Sequence, residues 1–170
     1  MDLQQFNSTP PDQLRPMLAA CCDVQRWVDR ILTGRPYGEL AAVTEVADRA
    51  ARDLDDSEVA QALAAHPRIG DRADGDGTEA TWSRKEQAGV GDDPGIRAAL
   101  TAGNREYEER FGRVFLICAT GLSAEEMLTS LRRRLTNDEA AEAHVVRDEL
   151  RKIAVLRLAK LVASGKEIPA

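Results

Sequence analysis

Apolar side chains recur at every third or fourth position along most of the chain, which is the spacing of one buried face of an α-helix. Polar residues, glycine and proline separate these apolar stripes at short intervals. The pattern predicts about eight helices, which are expected to begin near residues 9, 23, 40, 57, 81, 93, 123 and 137.

Residues that favour helix ends stand at the borders of the stripes. Side chains able to cap a helix N-terminus precede six of them, namely Thr9, Asp23, Ser57, Asp93, Ser123 and Asn137. Glu126 follows Ser123 by three residues and completes a predicted capping box. Three glycines are placed to end helices, namely Gly34, Gly112 and Gly165.

The segment 114–121, VFLICATG, has the composition of a buried strand. Because no second strand pattern exists to pair with it, we expect buried irregular chain or a short helix here. The predicted fold is therefore all-α, a single-domain helical bundle over residues 1–170. An apolar content of 43% and a charged content of 31% agree with a soluble globular domain.

Charge and cysteine content exclude several classes of function. A net charge of −6 argues against a nucleic-acid partner, because phosphate binding needs a dense positive field. The basic run Arg132–Arg134 is predicted to be a cationic helix end that complements the helix dipole. No apolar stretch is long enough to cross a bilayer, so no membrane partner is expected. Three cysteines without a CxxC pair, and an N-terminus without signal-peptide features, predict a cytoplasmic protein.

No metal site is predicted. The acidic segment 70–80 resembles a calcium loop, but the twelfth position counted from Asp74 is Lys85 rather than glutamate. We therefore expect a solvated loop. The two histidines, His66 and His144, show no zinc-ligand spacing with the cysteines, and His144 is expected to be solvated.

Three positions are not explained by helix packing, and the first is His66. It stands where a helix must end, because Pro67 disfavours helical conformation in the residue before it. Such a corner can fix a side chain at the edge of a pocket, and histidine titrates near neutrality, which suits proton transfer. The alternative is a histidine that fills a corner or satisfies a helix end.

The second position is the segment 83–89, SRKEQAG. Ser83 and Glu86 fit a capping box, in which the glutamate side chain bonds back to the serine amide. The same geometry places Ser83, Glu86 and Gln87 in one helical turn, where their polar ends can face a polar ligand. The sequence leaves both interpretations open.

The third position is Arg157, which lies on or against the apolar stripe of the last helix. It follows Ile153 and Ala154 at helical spacing and precedes Leu161. A buried guanidinium needs an anionic partner, and its planar fork suits a carboxylate. A structural salt bridge, or a stem that extends to water, would explain the position equally well.

Four stretches of the sequence carry a resemblance to a known family. They are ALAAHPRIG, SRKEQAG, NREYEERFG followed by FLICATG, and RDELRKIAVLRLAKL. With FNSTPPDQL and RPYGEL, they resemble the OHCU decarboxylases, which act on 2-oxo-4-hydroxy-4-carboxy-5-ureidoimidazoline (OHCU). The motifs occur in the family's order, and the resemblance covers nearly the whole chain.

The resemblance implies roles for the residues at matching positions. His66 matches the catalytic acid/base, Glu86 the essential glutamate and Arg157 a further pocket residue. The implied substrate-binding residues are Pro67, Ser83, Gln87, Phe115, Leu116, Ile117, Cys118 and Ala119. The segment 115–119 is expected to contact the ligand through its backbone, with amides that bind carbonyl oxygens.

The resemblance also implies the reaction, which is decarboxylation of OHCU to (S)-allantoin in urate breakdown. The substrate carries a C=N bond beside the carbon that loses carbon dioxide, so it contains its own electron sink. Neither a metal nor an organic cofactor is therefore expected. A homodimer is implied, with functional coupling to urate oxidase and hydroxyisourate hydrolase.

The sequence departs from the family at two places, and three alternative functions stay open. Arg113-Val114 stands where the family has an aromatic-proline pair, so the segment 115–119 lacks the pair that would hold its backbone rigidly. The segment 25–28, QRWV, replaces the family's Ser-Pro-Trp-Val and is expected to be scaffold. The alternatives are a decarboxylase of a related ureido acid, a non-catalytic helical interaction module, and a hydrolase with Cys118 as nucleophile.

Overall fold

The computed structural model describes residues 1–64, 66–69, 82, 86 and 93–163. Within these residues eight α-helices form and no strand does, which confirms the all-α prediction. The helices are α1 (Leu3–Ser8), α2 (Pro11–Ala19), α3 (Gln25–Thr33), α4 (Leu40–Arg52), α5 (Asp56–Ala64), α6 (Pro94–Phe111), α7 (Ala124–Arg134) and α8 (Glu139–Ala163). None of the helices in the described ranges combines the length and the hydropathy needed to cross a bilayer.

The chain divides into two compact units. Unit 1 comprises residues 1–62 and 151–170, and unit 2 comprises residues 63–150. Helix α8 therefore contributes residues to both units. The expectation of one domain over residues 1–170 stays a prediction.

Unit 1 is built around α3, which packs against α2 and α4. The Trp27 ring is fully buried, and its Nε1–H donates to the Ala47 carbonyl at 3.0 Å. A buried indole whose N–H is satisfied contributes a large apolar area without leaving an unpaired donor. Other fully buried side chains of this unit include Phe6, Leu14, Leu18, Ile31 and Val43.

Unit 2 is built around the packing of α6 against α7. One apolar cluster fills its interior, and the cluster consists of Ile69, Leu100, Tyr107, Phe111, Phe115, Ile117, Ala119, Met127, Leu128 and Leu131. The Tyr107 ring packs against Phe111 at a tilt of 50° and meets Phe115 edge-on, with ring centroids 4.8 Å and 5.3 Å apart. The segment predicted to be buried irregular chain thus supplies part of this core.

Several predicted helix ends are confirmed, because their signals act over a few residues. The Asp93 carboxylate accepts the Ile96 N–H at 2.9 Å and caps α6. Gly112 ends that helix with a left-handed φ of 63°, a conformation that glycine adopts without a Cβ penalty. Ser123 and Glu126 form the predicted capping box at the start of α7.

The sequence pattern was wrong at the first helix ends. It did not predict α1, and it assigned Thr9 as the cap of the next helix. Instead the Thr9 hydroxyl donates to the Gln5 carbonyl at 2.6 Å and closes α1, while Pro10 occupies the N-cap position of α2. The predicted cap Asp23 is also displaced, because Val24 is the N-cap of α3 and makes no side-chain capping bond.

Two further caps lie one or two residues from their predicted positions. At α5 the cap is Asp55 rather than Ser57, since the Asp55 carboxylate accepts the amide three residues ahead at 3.0 Å. At α8 the Asp138 carboxylate accepts the Ala141 N–H at 2.8 Å. Asn137, the predicted cap, donates its side-chain N–H to a buried carboxylate instead.

The remaining sequence predictions concern irregular or undescribed chain. Residues 114–119 form neither helix nor strand, as expected. The predicted loop 70–80 and the helix end at Gly165 lie outside the described residues, while Trp82 and Glu86 have helical conformation. Among the residues the structure describes, no group of three histidine, cysteine or acidic side chains is arranged to hold a metal.

Candidate active site

His66 lies two residues beyond the last residue of α5. The His66 amide donates to the Leu63 carbonyl at 2.9 Å, which closes the last turn of the helix. The side chains of His66 and Pro67 are partly buried, and the His66 Nε2 atom lies entirely away from solvent. The predicted corner therefore exists, and it holds the imidazole at the border between the interior and the surface of unit 2.

Helix α6 fixes the residues that follow His66. Arg68 forms a bidentate ion pair with Glu108, with Nε–Oε1 and Nη2–Oε2 distances of 2.5 and 2.8 Å. The Arg68 guanidinium holds the pKa of the Glu108 carboxyl below its usual range. One turn earlier on α6, the Asn104 Nδ2–H donates to the Ile69 carbonyl at 2.8 Å. Asn104 and Glu108 of α6 thus hold Ile69 and Arg68, the residues that follow the His66-Pro67 pair.

Glu86 is helical and buried, with 8% of its surface exposed. A carboxylate in such a position must be compensated by polar groups or a ligand, because burial of an isolated charge is costly. Ser83 and Gln87 lie outside the described residues. The capping and the ligand-binding interpretations of SRKEQAG therefore both stay predictions.

The segment 115–119 lines the interior of unit 2. Cys118 is partly buried and its four neighbours in the segment are buried. Three of them share one apolar cluster with Ile69, the last described residue of the His66 corner. The structure therefore brings the corner and the 115–119 segment together on one core, although nearly fifty residues separate them in the chain.

Arg134, at the end of α7, is buried and donates a hydrogen bond to this segment. It is 1% exposed, and its Nη1–H donates to the Leu116 carbonyl at 2.6 Å. Its Nε and Nη2 donate to Glu142 Oε1 at 2.8 and 2.6 Å. The guanidinium also lies over the Phe115 ring, 4.6 Å from its centroid. Both the main chain and a side chain of the segment are therefore held by one arginine.

The counter-ion Glu142 is fully buried and has three polar neighbours. Besides Arg134, its carboxylate accepts the Tyr107 hydroxyl and, at 2.8 Å, the Asn137 Nδ2–H. Burial, followed by the hydrogen bond to Glu142, raises the pKa of Tyr107, so the phenol stays a donor. A buried ion pair whose remaining hydrogen bonds are satisfied holds its neighbours in a fixed geometry. Removal of either charged partner would leave the other charge buried and uncompensated.

A second acidic residue of α8 holds the far end of the segment. Glu149 Oε2 accepts the Cys118 N–H at 2.7 Å. Arg134 and Glu149 therefore hold the segment without the aromatic-proline pair that Arg113-Val114 replaces. Because the Cys118 N–H is already used within the protein, a ligand carbonyl near this residue needs another donor.

Arg157, the remaining predicted site residue, belongs to unit 1 and is 1% exposed. Its Nη1–H donates to the Ala20 carbonyl at 3.3 Å. The predicted position on the buried stripe is therefore confirmed. Burial raises the pKa of the nearby Cys22 thiol to about 12, although the positive charge of Arg157 acts in the opposite direction.

Sequence reasoning missed the two residues that hold the 115–119 segment. The run Arg132–Arg134 does lie in the last turn of α7, as predicted, but the burial of Arg134 was not anticipated. A signal was present, since Arg134 follows Leu131 by three residues and so falls on the apolar stripe of the helix. Glu149 had no comparable signal, because its partner is a backbone amide of distant chain.

The architecture is that of a helical decarboxylase. A crystal structure of OHCU decarboxylase in the presence of (S)-allantoin superimposes with a TM-score of 0.74 at 25% identity, covering 91% of this chain and 99% of that one. The 2-oxo-4-hydroxy-4-carboxy-5-ureidoimidazoline decarboxylase of Haloferax volcanii is 29% identical over 169 residues, which cover 96% of this chain and 98% of the relative.

Two further matches agree with that class. The uric acid degradation bifunctional protein TTL of Arabidopsis thaliana is 26% identical over 152 residues, covering 87% of this chain. This chain spans only 47% of that bifunctional relative. The sequence model of the OHCU decarboxylase family matches residues 7–159. The chain belongs to the OHCU decarboxylase family.

Proposed function

We propose that this protein decarboxylates OHCU to (S)-allantoin in urate degradation, and that it does so without a metal or an organic cofactor. The observation that carries the proposal is the family match, which extends from residue 7 to residue 159. It is supported by the Haloferax volcanii relative, which is a decarboxylase of this compound by name and matches along nearly its whole length.

The chemistry asks for positioning rather than for a bound electron sink. The bond between the ring carbon and the carboxylate breaks, carbon dioxide leaves, and the electron pair stays on the ring carbon. The neighbouring C=N bond accepts that pair, so that a C=C bond forms and the nitrogen takes up a proton. Loss of the hydroxyl proton then gives a carbonyl group, while a proton is delivered to one face of the former C=N carbon. Orientation of the carboxylate and preorganised hydrogen bonds can supply much of such a barrier reduction.

His66 and Glu86 are proposed to handle the protons. His66 either takes the proton of the substrate hydroxyl or protonates the carbanion, which suits an imidazole at the border of the interior. Glu86, a buried carboxylate, pairs with His66 or with substrate N–H groups and sets the position of the proton. The rigid attachment of the His66 corner to α6 supports this role, because proton transfer requires fixed geometry.

The other predicted site residues are proposed to bind the substrate. Arg157 holds an anionic or carbonyl group, for which its planar fork is suited. The side chains proposed to line the pocket are Pro67, Ser83 and Gln87, and the segment proposed to contribute backbone groups comprises Phe115, Leu116, Ile117, Cys118 and Ala119.

The wider setting of the protein is also a proposal. The family resemblance supports a single-domain cytoplasmic homodimer. The Arabidopsis thaliana relative is by name a bifunctional protein of uric acid degradation, and this chain spans about half of it. That relationship supports functional coupling of the present reaction to urate oxidase and hydroxyisourate hydrolase.

The test is the rate at which OHCU disappears, followed by its ultraviolet absorbance after generation in situ from urate. We expect rapid loss with the wild-type protein and only the spontaneous rate with His66→Ala or Glu86→Ala. His144→Ala is the matched control for histidine removal, because His144 is exposed on α8. Glu125→Ala, at an exposed position of α7, is the control for loss of a carboxylate.

The variants also separate the alternatives. A substantial rate in His66→Ala or Glu86→Ala, with folding intact, would remove that residue from the mechanism. A wild-type protein without effect on OHCU would point to a related ureido acid or to a non-catalytic interaction module. Loss of activity in Cys118→Ser alone, with both other variants active, would favour the cysteine hydrolase.

A further inference from the structure

We propose that Arg134 and Glu149 are positioning residues that orient the two peptide groups on either side of Ile117 towards the substrate. The inference rests on the proposed function, in which the backbone of 115–119 contacts the ligand. Neither residue is assigned a role by the family motifs, and both act through main-chain atoms of the segment.

The orientation follows from the planarity of the peptide group. In a trans peptide the C=O of one residue and the N–H of the next point in opposite directions. Arg134 holds the Leu116 carbonyl, so the N–H of Ile117 points away from Arg134. Glu149 holds the N–H of Cys118, so the carbonyl of Ile117 points away from Glu149. Both polar main-chain groups of Ile117 are thereby turned away from the residues that fix them.

The pair that results matches the chemistry of the substrate. An adjacent N–H donor and C=O acceptor on one residue can bond to a ureide, which itself offers neighbouring N–H and C=O groups. The first orientation does not depend on a surface side chain, because Arg134 is buried and is held in turn by Glu142. Glu149, which sets the second orientation, is partly buried. Such preorganised groups bind a ligand without an ordering cost at the moment of binding.

The experiment measures KM and kcat for OHCU in wild type, Glu149→Ala and Glu149→Gln. We expect Glu149→Ala to raise KM about tenfold or more and to change kcat by less than about threefold, because a binding group shared by ground and transition states is lost. Glu149→Gln should restore KM to within about threefold of wild type, since its amide oxygen still accepts the Cys118 N–H. Glu125→Gln, which removes an exposed carboxylate from α7, should match wild type.

A purely structural role would give a different pattern. It would lower the active fraction and therefore kcat, while KM stayed unchanged, and the glutamine variant would not be distinguished from alanine in KM. Either an unchanged KM in Glu149→Ala, or equal KM values in the two variants, would overturn the proposal. Circular dichroism melting of each variant reports whether it is folded.

A measurement without substrate separates failure of this inference from failure of the proposed function. In the NMR spectrum of the ligand-free protein, the Cys118 amide proton should lie downfield in wild type and Glu149→Gln and move upfield in Glu149→Ala. The same position in all three would overturn the anchor whatever the activity. An inactive wild-type protein would instead overturn the proposed function, and with it the substrate role of the anchor.

Discussion

The position of Arg157 constrains the chemistry of its side chain. It is almost fully buried on α8 and donates to a main-chain carbonyl, so its guanidinium cannot reorient freely. A lysine there would keep the charge and lose the planar fork. The identity of the side chain should therefore matter more than its charge.

This leads to a prediction for Arg157→Lys. We expect the variant to fold and to lose most activity, with kcat/KM lowered by about tenfold or more, because a single ammonium cannot replace two parallel N–H donors. Initial rates of OHCU loss measure the effect, and Arg132→Lys on the exposed face of α7 is the control. Near-normal turnover in Arg157→Lys would exclude the proposed binding role.

At the scale of single residues, candidate site residues could be identified from the sequence, whereas their hydrogen-bond partners could not. His66, Glu86 and Arg157 were singled out because each conflicts with simple helix packing. The structure confirms the corner at His66 and the burial of Arg157, and it shows that Glu86 is also buried, which the sequence did not predict. It could not be predicted that Glu149 bonds to the amide of Cys118, because that contact joins residues 31 apart through a main-chain atom with no sequence signature.

At the scale of helices, local signals were reliable and long-range competition was not. The caps at Asp93 and Ser123 were predicted correctly, because each is completed within three residues. Asn137 was predicted as a cap, but its side-chain N–H instead donates to Glu142, whose buried carboxylate must be compensated by hydrogen-bond donors. The cap of α8 is therefore Asp138, one residue later than predicted.

The same pair gives a stability prediction for α7 and α8. Arg134→Met should lower the free energy of unfolding by about 3 to 5 kcal/mol, because it leaves the Glu142 carboxylate buried without its cation. The double variant R134M/E142L should recover most of that loss, since the uncompensated charge is removed as well. Urea denaturation of both proteins measures the difference.

The control for this series is Arg132→Met, which removes an arginine from the same turn at an exposed position. Its effect should stay within about 0.5 kcal/mol of wild type. If Arg134→Met were no more destabilising than this control, the buried network would not hold the segment as described.

For the whole molecule, surface ion pairs make stability depend on pH. The hydrogen bond from Arg26 lowers the pKa of Glu58 in unit 1, and that from Arg68 lowers the pKa of Glu108 in unit 2. A carboxyl with a lowered pKa in the folded state contributes stability above its unfolded pKa of about 4.3. That contribution is lost as the pH falls through the folded value. Both pairs are partly exposed, so each effect is small.

We therefore expect the urea midpoint to fall as the pH is lowered from about 5 to 3. In Arg68→Gln the fall should be shallower, because Glu108 then keeps nearly its ordinary pKa in the folded state. Arg105→Gln, at an exposed position of α6, should leave the wild-type profile unchanged. Identical acid profiles for Arg68→Gln and wild type would show that the Arg68–Glu108 pair does not contribute.

The fold class could be predicted because it depends on a repeated signal. Helical periodicity runs through most of the chain, and the one strand-like segment had no partner. The placement of that segment on the same core as the His66 corner required the structure, since Ile69, Phe115 and Ile117 belong to one apolar cluster. Hydrophobic periodicity specifies that residues are buried, but it does not specify which distant residues they meet.

The most direct test of the account is the handedness of the product. OHCU is generated from urate with urate oxidase and hydroxyisourate hydrolase, this protein is added, and circular dichroism is recorded during turnover. We expect a fast rise of the (S)-allantoin signal that is absent with His66→Ala and retained with His144→Ala. Slow formation of optically inactive product, unchanged by the protein, would contradict the proposed reaction.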